Sequence, residues 1–453
     1  MDLIPKPDQV VSAASNVAHK MLYGGLADLR PMPRTLIDEG MLREVYHYRP
    51  SRTAQEHGDP ILLVTPLAAP AICFDLRRGC SVVEHLVQQG RRTYLVEYGE
   101  ISFANRTLGM EHWVDEVIPA AIREVSAHAG NRPVHVVGWS LGGIFSLLTA
   151  ADRPDLPIGS LTVLGSPMDV RQVPLVAPIR PLLRITDGGG LVTQLYRLLG
   201  GAPKPLVKRA FQLSSFHKHV TKPIAIAANL DDADFLAQIE AVDRFTQNMI
   251  AYPGRTFGQI YHRILKGNQL ATGVVRMDDR EIRLENLRVP LLAFAGASDG
   301  IAPVRCIRPI KKLAPNVEEL RFEVVPGGHL GMLTGRAARD TTWRIIDEFL
   351  SEWAADGTPE PGSSPVAAKS PASKKTPAKP AAGRKTPAKK AAARKTPAKK
   401  TSANESPAKK AAASSGTAKK ASTRKVKPSA AAIGSNPSRR YGSASSRSLA
   451  SSR

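Results

Sequence analysis

At 453 residues the chain is long enough for a sizeable core, but its formal net charge of +23 is not spread along it. Residues 356–453 carry 23 Lys and Arg against 3 Asp and Glu, which leaves only +3 for the first 355 residues, so overall basicity says nothing about the surface of the folded part. No apolar run reaches the ~18–20 residues of a membrane-spanning helix; the longest, Ile61 to Cys73, is broken by Pro66 and Pro70.

Met1 and Asp2 lead into a Pro-containing stretch with no basic segment ahead of an apolar one, so no secretory signal is expected and the chain reads as cytoplasmic. Residues 1–50 are read as an N-terminal helical segment, and 51–355 as one α/β domain. Six short apolar runs rich in β-branched residues read as strands: Ile61–Thr65, Arg92–Glu97, Val134–Gly138, Leu161–Leu164, Leu291–Ala295 and Leu320–Val325. Between the first two, Ser81 to Gln89 reads as a helix, with Ser81 as N-cap, Glu84 closing a capping box and Gly90 as the stop. Glu111 to Ala129 reads as another. This alternation predicts an open, mostly parallel sheet covered by helices. From about 166 to 287 the strand rhythm gives way to prolines, Gly188 to Gly190 and amphipathic stretches such as Leu191 to Leu199, the pattern of an inserted helical cap. Cys73, Cys80 and Cys306 fit no metal spacing and cannot all pair, so they are read as buried free thiols in a reducing compartment.

Gly138-Trp-Ser-Leu-Gly-Gly143 directly follows the strand Val134 to Gly138 and precedes the helical pattern Ile144 to Ala151. Strand, G-x-S-x-G and helix together define a nucleophile elbow, in which a strained turn lifts Ser140 Oγ clear of the sheet. A serine hydroxyl attacks an acyl carbon only when a positioned base removes its proton, so a histidine and an orienting carboxylate must follow. Asp299, in Gly296-Ala-Ser-Asp-Gly-Ile, and His329, in Pro326-Gly-Gly-His-Leu-Gly, each lie just past a strand, where loops leave the carboxyl edge of the sheet. Asp278 and Asp279 are rival acids but precede the strand at Leu291 and suit a polar turn; His135 and His262 read as structural. The oxyanion needs two backbone N–H donors. Leu141 supplies one, and Leu67, or failing that Ala68, supplies the other, since Pro66 has no N–H to give. This chemistry needs neither a metal nor an organic cofactor, and none is expected.

These residues resemble the polyhydroxyalkanoate synthase branch of the α/β-hydrolases, in its actinobacterial form. The likeness rests on Leu63-Val-Thr-Pro-Leu, on Asp75-Leu-Arg-Arg-Gly-Cys through Gly90, and on Gln247-Asn248, Pro253 and Gly267-Asn-Gln-Leu270 in the cap. It extends over Val289-Pro290 to Asp299 and over Pro326 to Trp343, and so covers about Pro60 to Leu350. The resemblance implies the α/β-hydrolase fold, with Asp299 and His329 as catalytic acid and base. Three positions depart from it: Ser140 stands where the synthases have cysteine, Ala69 replaces an asparagine, and Glu97-Tyr-Gly-Glu100 replaces a Trp-Arg-Asn-Pro segment. A cysteine holds the acyl group as an activated thioester, ready for chain growth, whereas an acyl-serine is an ordinary ester that water resolves. Serine therefore favours an esterase, lipase or thioesterase acting on lipophilic acyl esters or acyl-CoA. An acyltransferase or polyester synthase using hydroxyacyl-CoA stands second, and a non-catalytic protein tethering granules to the nucleoid third.

Residues 356–453 repeat Lys-Thr-Pro-Ala-Lys from Lys375, Lys385 and Lys395, with a degenerate copy at Glu405 to Lys410. So few aromatic and branched apolar residues cannot offset the entropy of ordering, and a disordered tail is expected. It resembles linker-histone tails and suits phosphate-rich partners: DNA, polyphosphate or an anionic lipid surface. No aromatic residue lies between Trp353 and Tyr441, which disfavours stacking on single strands.

Overall fold

The computed structural model describes residues 6–174, 190–214 and 216–355. The basic stretch 356–453, with its expected disorder, and Gly188 and Gly189 lie outside the described residues.

One eight-stranded sheet organises the described part. Its strands are β1 (Arg34–Gly40), β2 (Arg43–Tyr48), β3 (His57–Val64), β4 (Arg91–Glu97), β5 (Val134–Trp139), β6 (Ile158–Leu164), β7 (Leu291–Gly296) and β8 (Leu320–Val325), in the spatial order β1-β2-β4-β3-β5-β6-β7-β8. Every pairing from β4 to β8 is parallel. β5 and β7 are buried along their whole length, which is why their sequences run apolar without alternation. All six expected strands are present.

The reading of residues 1–50 as helical is corrected. Among the described residues there, only α1 (Pro7–Tyr23) is an α-helix, and Arg34 to Tyr48 form an antiparallel hairpin added to the edge of the sheet through β4. In Arg-Glu-Val-Tyr-His-Tyr48 only Val45 and Tyr48 are fully buried, and being three residues apart they enter the core from opposite faces of the sheet. The turn passes through Leu42 at φ 48°, a conformation with no glycine to announce it.

Helix α2 (Val82–Gln88) starts where the sequence places it. Ser81 Oγ accepts the Glu84 N–H at 3.0 Å, but the Glu84 carboxylate takes the Gly79 N–H at 2.6 Å, so the reciprocal half of the capping box lands two residues upstream. A π-helical turn, His112–Val117, leads into α3 (Ile118–His128), and α4 (Leu141–Asp152) leaves β5 without a loop. Cys73, Cys80 and Cys306 are free and buried.

Between β6 and β7 the chain forms α5 (Leu191–Leu199), α6 (Lys204–Ser214), α7 (Phe216–Ala227), α8 (Ala233–Gln247) and α9 (Gly254–Gln259). One short ladder, Gly201–Ala202 with Tyr252–Pro253, interrupts them, and a second, Val274–Arg276 with Glu281–Arg283, follows them. Arg77, nearly buried, clamps α8 through Asp234 at 2.7 Å and Gln238 at 2.9 Å. The Ile250 N–H donates to Ala68 O at 2.8 Å, tying this helical region to the loop after β3. On α5, Leu198 and Leu199 face solvent. Among the described residues no helix is long and apolar enough to cross a membrane.

Candidate active site

The chain leaves β3 for β4 on one side and continues to β5 on the other, so a crevice opens at the carboxyl ends of β3 and β5. Val64 is in register with Gly138, which sets Leu67 and Ser140 at the same rim. Ser140 has φ 54° and ψ −118°, a strained backbone for a residue with a Cβ, and its N–H is pinned to Leu164 O at 2.7 Å. Such strain costs about 1–3 kcal/mol and persists only where the surroundings enforce it. Here they do so by contact. A Cβ on Gly142 would stand 2.5 Å from Val64 O, and one on Gly138 would stand 2.6 Å from Gly143 Cα, so the start of α4 presses directly on the strands.

The loops after β7 and β8 carry Asp299 and His329 to the same point. His329 Nε2 lies 2.9 Å from Ser140 Oγ, and its Nδ1 lies 2.8 Å from Asp299 Oδ2. The other Asp299 oxygen accepts the N–H groups of Ile301 at 2.7 Å and Ala302 at 2.9 Å. Burial pushes the Asp299 pKa up, but the His329 charge and hydrogen bond, with those two N–H groups, outweigh it and hold the carboxyl below its ordinary value. The Trp139 indole donates to His329 O at 3.0 Å, and Ser166 Oγ donates to Ser140 O at 2.8 Å. Gly165, at φ 62°, lets the ring come close: a Cβ there would lie 3.0 Å from His329 Cε1.

Leu141 and Leu67 both line the cavity that contains Ser140 and His329. Among the described residues neither of their N–H groups has a protein acceptor. The cavity holds about 430 Å³, within the range of small-molecule sites, and its remaining wall is mostly apolar, including Val207, Met249, Tyr252 and Phe257. The rival acids stand elsewhere: Asp278 pairs with Arg263 at 2.6 Å and with Arg255, and Asp279 with Arg280 at 2.9 Å. His135 is buried in β5 against Ser160 Oγ at 2.7 Å, and His262 meets Thr193 Oγ1 at 3.2 Å.

The supporting contacts of Trp139, Ser166, Ile301 and Ala302 are absent from the sequence reading, as is the wall from Val207 to Phe257. Asp-Gly-Ile-Ala302 carries a usable signal, since an Asp two and three residues ahead of free N–H groups is a turn former. Nothing local marks the wall residues.

A parallel sheet that presents an elbow serine, an acid and a histidine at its carboxyl edge defines a class. The chain belongs to the alpha/beta hydrolase fold family, whose model matches residues 60–336. Within it, the chain is similar to curated relatives named poly(3-hydroxyalkanoate) polymerase subunit PhaC. It is 26% identical over 336 residues to the PhaC of Haloferax mediterranei, covering 71% of this chain and 64% of that one. It is 24% identical to the PhaC of Allochromatium vinosum over 313 residues, 68% of this chain and 85% of that one. To that of Cupriavidus necator it is 24% identical over 331 residues, 70% and 52% of the two chains. The match thus spans less than two thirds of the Haloferax and Cupriavidus proteins.

Proposed function

We propose that the chain is a serine-dependent acyl hydrolase acting on lipophilic esters or thioesters, with Ser140 as nucleophile, His329 as base and Asp299 as orienting acid. The observation that carries it is the unbroken relay of two short contacts, 2.9 Å from Ser140 Oγ to His329 and 2.8 Å on to Asp299, beside an apolar cavity. His329 Nε2 takes the proton of Ser140 Oγ as that oxygen bonds to the acyl carbon. Asp299, its pKa held down, stays ionised at neutral pH and favours the imidazolium that results. The oxyanion of the tetrahedral intermediate meets the N–H groups of Leu141 and Leu67. Collapse breaks the bond to the alcohol or thiol, which leaves with the proton from His329. Water, activated by the same imidazole, then cleaves the acyl-serine and returns the hydroxyl.

Serine in place of the synthases' cysteine supports hydrolysis. One observation favours a second reading, acyl transfer from hydroxyacyl-CoA to a growing polyester: the relatives above all bear the polymerase name. Product analysis separates the two. Purified protein given a p-nitrophenyl acyl ester and, separately, a 3-hydroxyacyl-CoA should release free acid, with no insoluble polymer. Ser140→Ala should lower turnover by at least ~10³-fold without lowering the thermal midpoint. Turnover unchanged in that variant rejects both enzymatic readings, and polymer formation by the wild type selects the second.

A further inference from the structure

The cavity that contains Ser140 has a polar side-chain group that the proposed reaction does not use. Ser140 and His329 belong to the relay, and the Trp139 indole N–H is spent on His329 O. What remains among the described lining residues is the hydroxyl of Tyr252.

Tyr252 is firmly placed. Its backbone pairs with Ala202, itself part of the cavity wall, and a Cβ on Gly201 would collide with Tyr252 O. Two residues earlier, the Ile250 N–H is tied to Ala68 O at 2.8 Å. The phenol ring leans on Phe257, with centroids 6.0 Å apart. A buried tyrosine hydroxyl usually finds a hydrogen-bond partner, and Tyr94 and Tyr98 find theirs in His128 Nδ1 and Thr65 O, both at 2.9 Å. Among the described residues the Tyr252 hydroxyl has no such partner, nor is it sealed inside protein as the orphaned Tyr261 hydroxyl is. Loss of solvent alone pushes its pKa up to about 12, so it stays protonated at neutral pH. A hydroxyl that meets open space yet is screened from bulk water faces an internal cavity, and Tyr252 lines the one at Ser140.

We propose that Tyr252 selects the acyl group: its hydroxyl donates a hydrogen bond to an acceptor oxygen carried along the acyl chain, an ether, ketone or further ester oxygen, so that such chains are preferred to plain hydrocarbon. The inference rests on the proposed acyl chemistry at Ser140 and deepens it. A hydrocarbon chain entering this cavity strips water from the phenol and returns nothing, which costs free energy; an oxygen at the right place restores the lost bond. Sites that hydrogen-bond a substrate in this way discriminate against the analogue that lacks the group.

The test compares the full chain with Tyr252→Phe on p-nitrophenyl hexanoate and on isosteres in which an ether oxygen replaces one methylene, moved stepwise along the chain. At one position Tyr252→Phe should lower kcat/KM by about tenfold, while on p-nitrophenyl hexanoate it should raise kcat/KM by about threefold. The ratio of variant to wild type cancels the intrinsic reactivity of each ester. Changes of opposite sign cannot come from a loosened wall, which would scale all esters alike. The thermal midpoint should match the wild type, because the hydroxyl has no protein partner to lose. A ratio equal for hexanoate and every isostere overturns the proposal. Isothermal titration of the corresponding N-methylamides into Ser140→Ala and Ser140→Ala/Tyr252→Phe reads the same preference without turnover, and the oxygen-bearing amide should bind about tenfold more weakly to the second. If no ester is turned over, the hydrolytic reading fails while these affinities still decide the role of Tyr252; equal affinities, or no binding at all, overturn it.

Discussion

The indole N–H of Trp139 donates to the carbonyl oxygen of His329 at 3.0 Å, joining the residue before the elbow serine to the loop that carries the imidazole. The two rings also lie 5.1 Å apart, and Trp139 is almost fully buried. One side chain thereby sets the spacing between the two groups that exchange a proton in the proposed reaction. Trp139→Phe keeps most of the bulk and removes the donor. Its expected effect is a fall in kcat of about tenfold with KM little changed, because small misplacements of reacting groups are costly in rate. Stability should drop by about 1–3 kcal/mol for the orphaned carbonyl. Steady-state kinetics on a p-nitrophenyl ester, beside urea unfolding, read both quantities; an unaltered kcat would show that the bond positions nothing.

Gly142 has no room for a methyl group, with the carbonyl oxygens of Val64 and Thr65 at 2.5 and 2.7 Å from where a Cβ would sit. Backbone cannot swing aside as a long side chain can, so Gly142→Ala must push α4 off the sheet. A loss of about 1–3 kcal/mol is expected from overpacking, with turnover reduced further because Ser140 and the Leu141 N–H move with the helix. A variant with wild-type urea midpoint and activity would contradict this account of the elbow.

The elbow was legible from sequence because its constraint is local: glycines on both sides of Ser140, a strand before and a helix after. Asp299 and His329 were placed by the same logic, each just past a strand whose apolar run is unmistakable. The hairpin from Arg34 to Tyr48 was not. It sits at the sheet edge with much of β1 solvent-facing, and its turn uses Leu42 where Gly or Asn would have signalled it. The cavity wall escaped for another reason. Met249, Tyr252 and Phe257 fall in the loop just past α8, in a two-residue strand and on the short α9, and a π-helical turn, Ile260–Lys266, follows, so no single period runs through them. Their convergence depends on Ile250 docking on Ala68, a contact between distant segments that no local pattern encodes.

Arg77 anchors the inserted helices. Its guanidinium, nearly buried, binds Asp234, Gln238 and Arg78 O, while Asp234 remains 42% exposed. Because that partner can be rehydrated, Arg77→Met should cost about 1–3 kcal/mol, less than breaking a fully buried pair. The loosened element should be α8. Limited proteolysis near Ala233 to Gln247 is expected to quicken before global unfolding, and cleavage rates equal to wild type would remove Arg77 from this role.

For residues 356–453, the expectation is binding through charge alone. If the segment neutralises about 8 phosphates on duplex DNA, the logarithm of affinity should fall against the logarithm of salt concentration with a slope of about −7, independent of DNA sequence. A chain ending at Ala355 should lose that binding at low salt. Equal retention by the two chains would rule out a nucleic-acid role for the segment.

His135 makes stability depend on pH in a window set apart from that of the carboxylates. It sits inside β5, 2% exposed, with Nδ1 against Ser160 Oγ and no hydrogen-bond partner for Nε2, the nearest carboxylate oxygen being Asp59 Oδ2 at 3.9 Å. Burial lowers its pKa to about 4; Asp59 opposes that shift and Arg91 adds to it. In the unfolded chain the same imidazole titrates near its ordinary value of about 6.5. Between those two values the unfolded state holds a proton that the folded state refuses, so stability is full above about pH 6.5 and declines as pH falls toward 4. A shift of this size corresponds to roughly 3 kcal/mol across the window. His135→Asn removes the titrating group and keeps a polar side chain, and its urea midpoint should vary less between pH 7 and 4.5 than that of the wild type. His128 and His262, whose pKa values are also lowered, contribute to both proteins alike and cancel in the comparison. Parallel pH profiles for variant and wild type would mean that His135 is protonated in the fold after all.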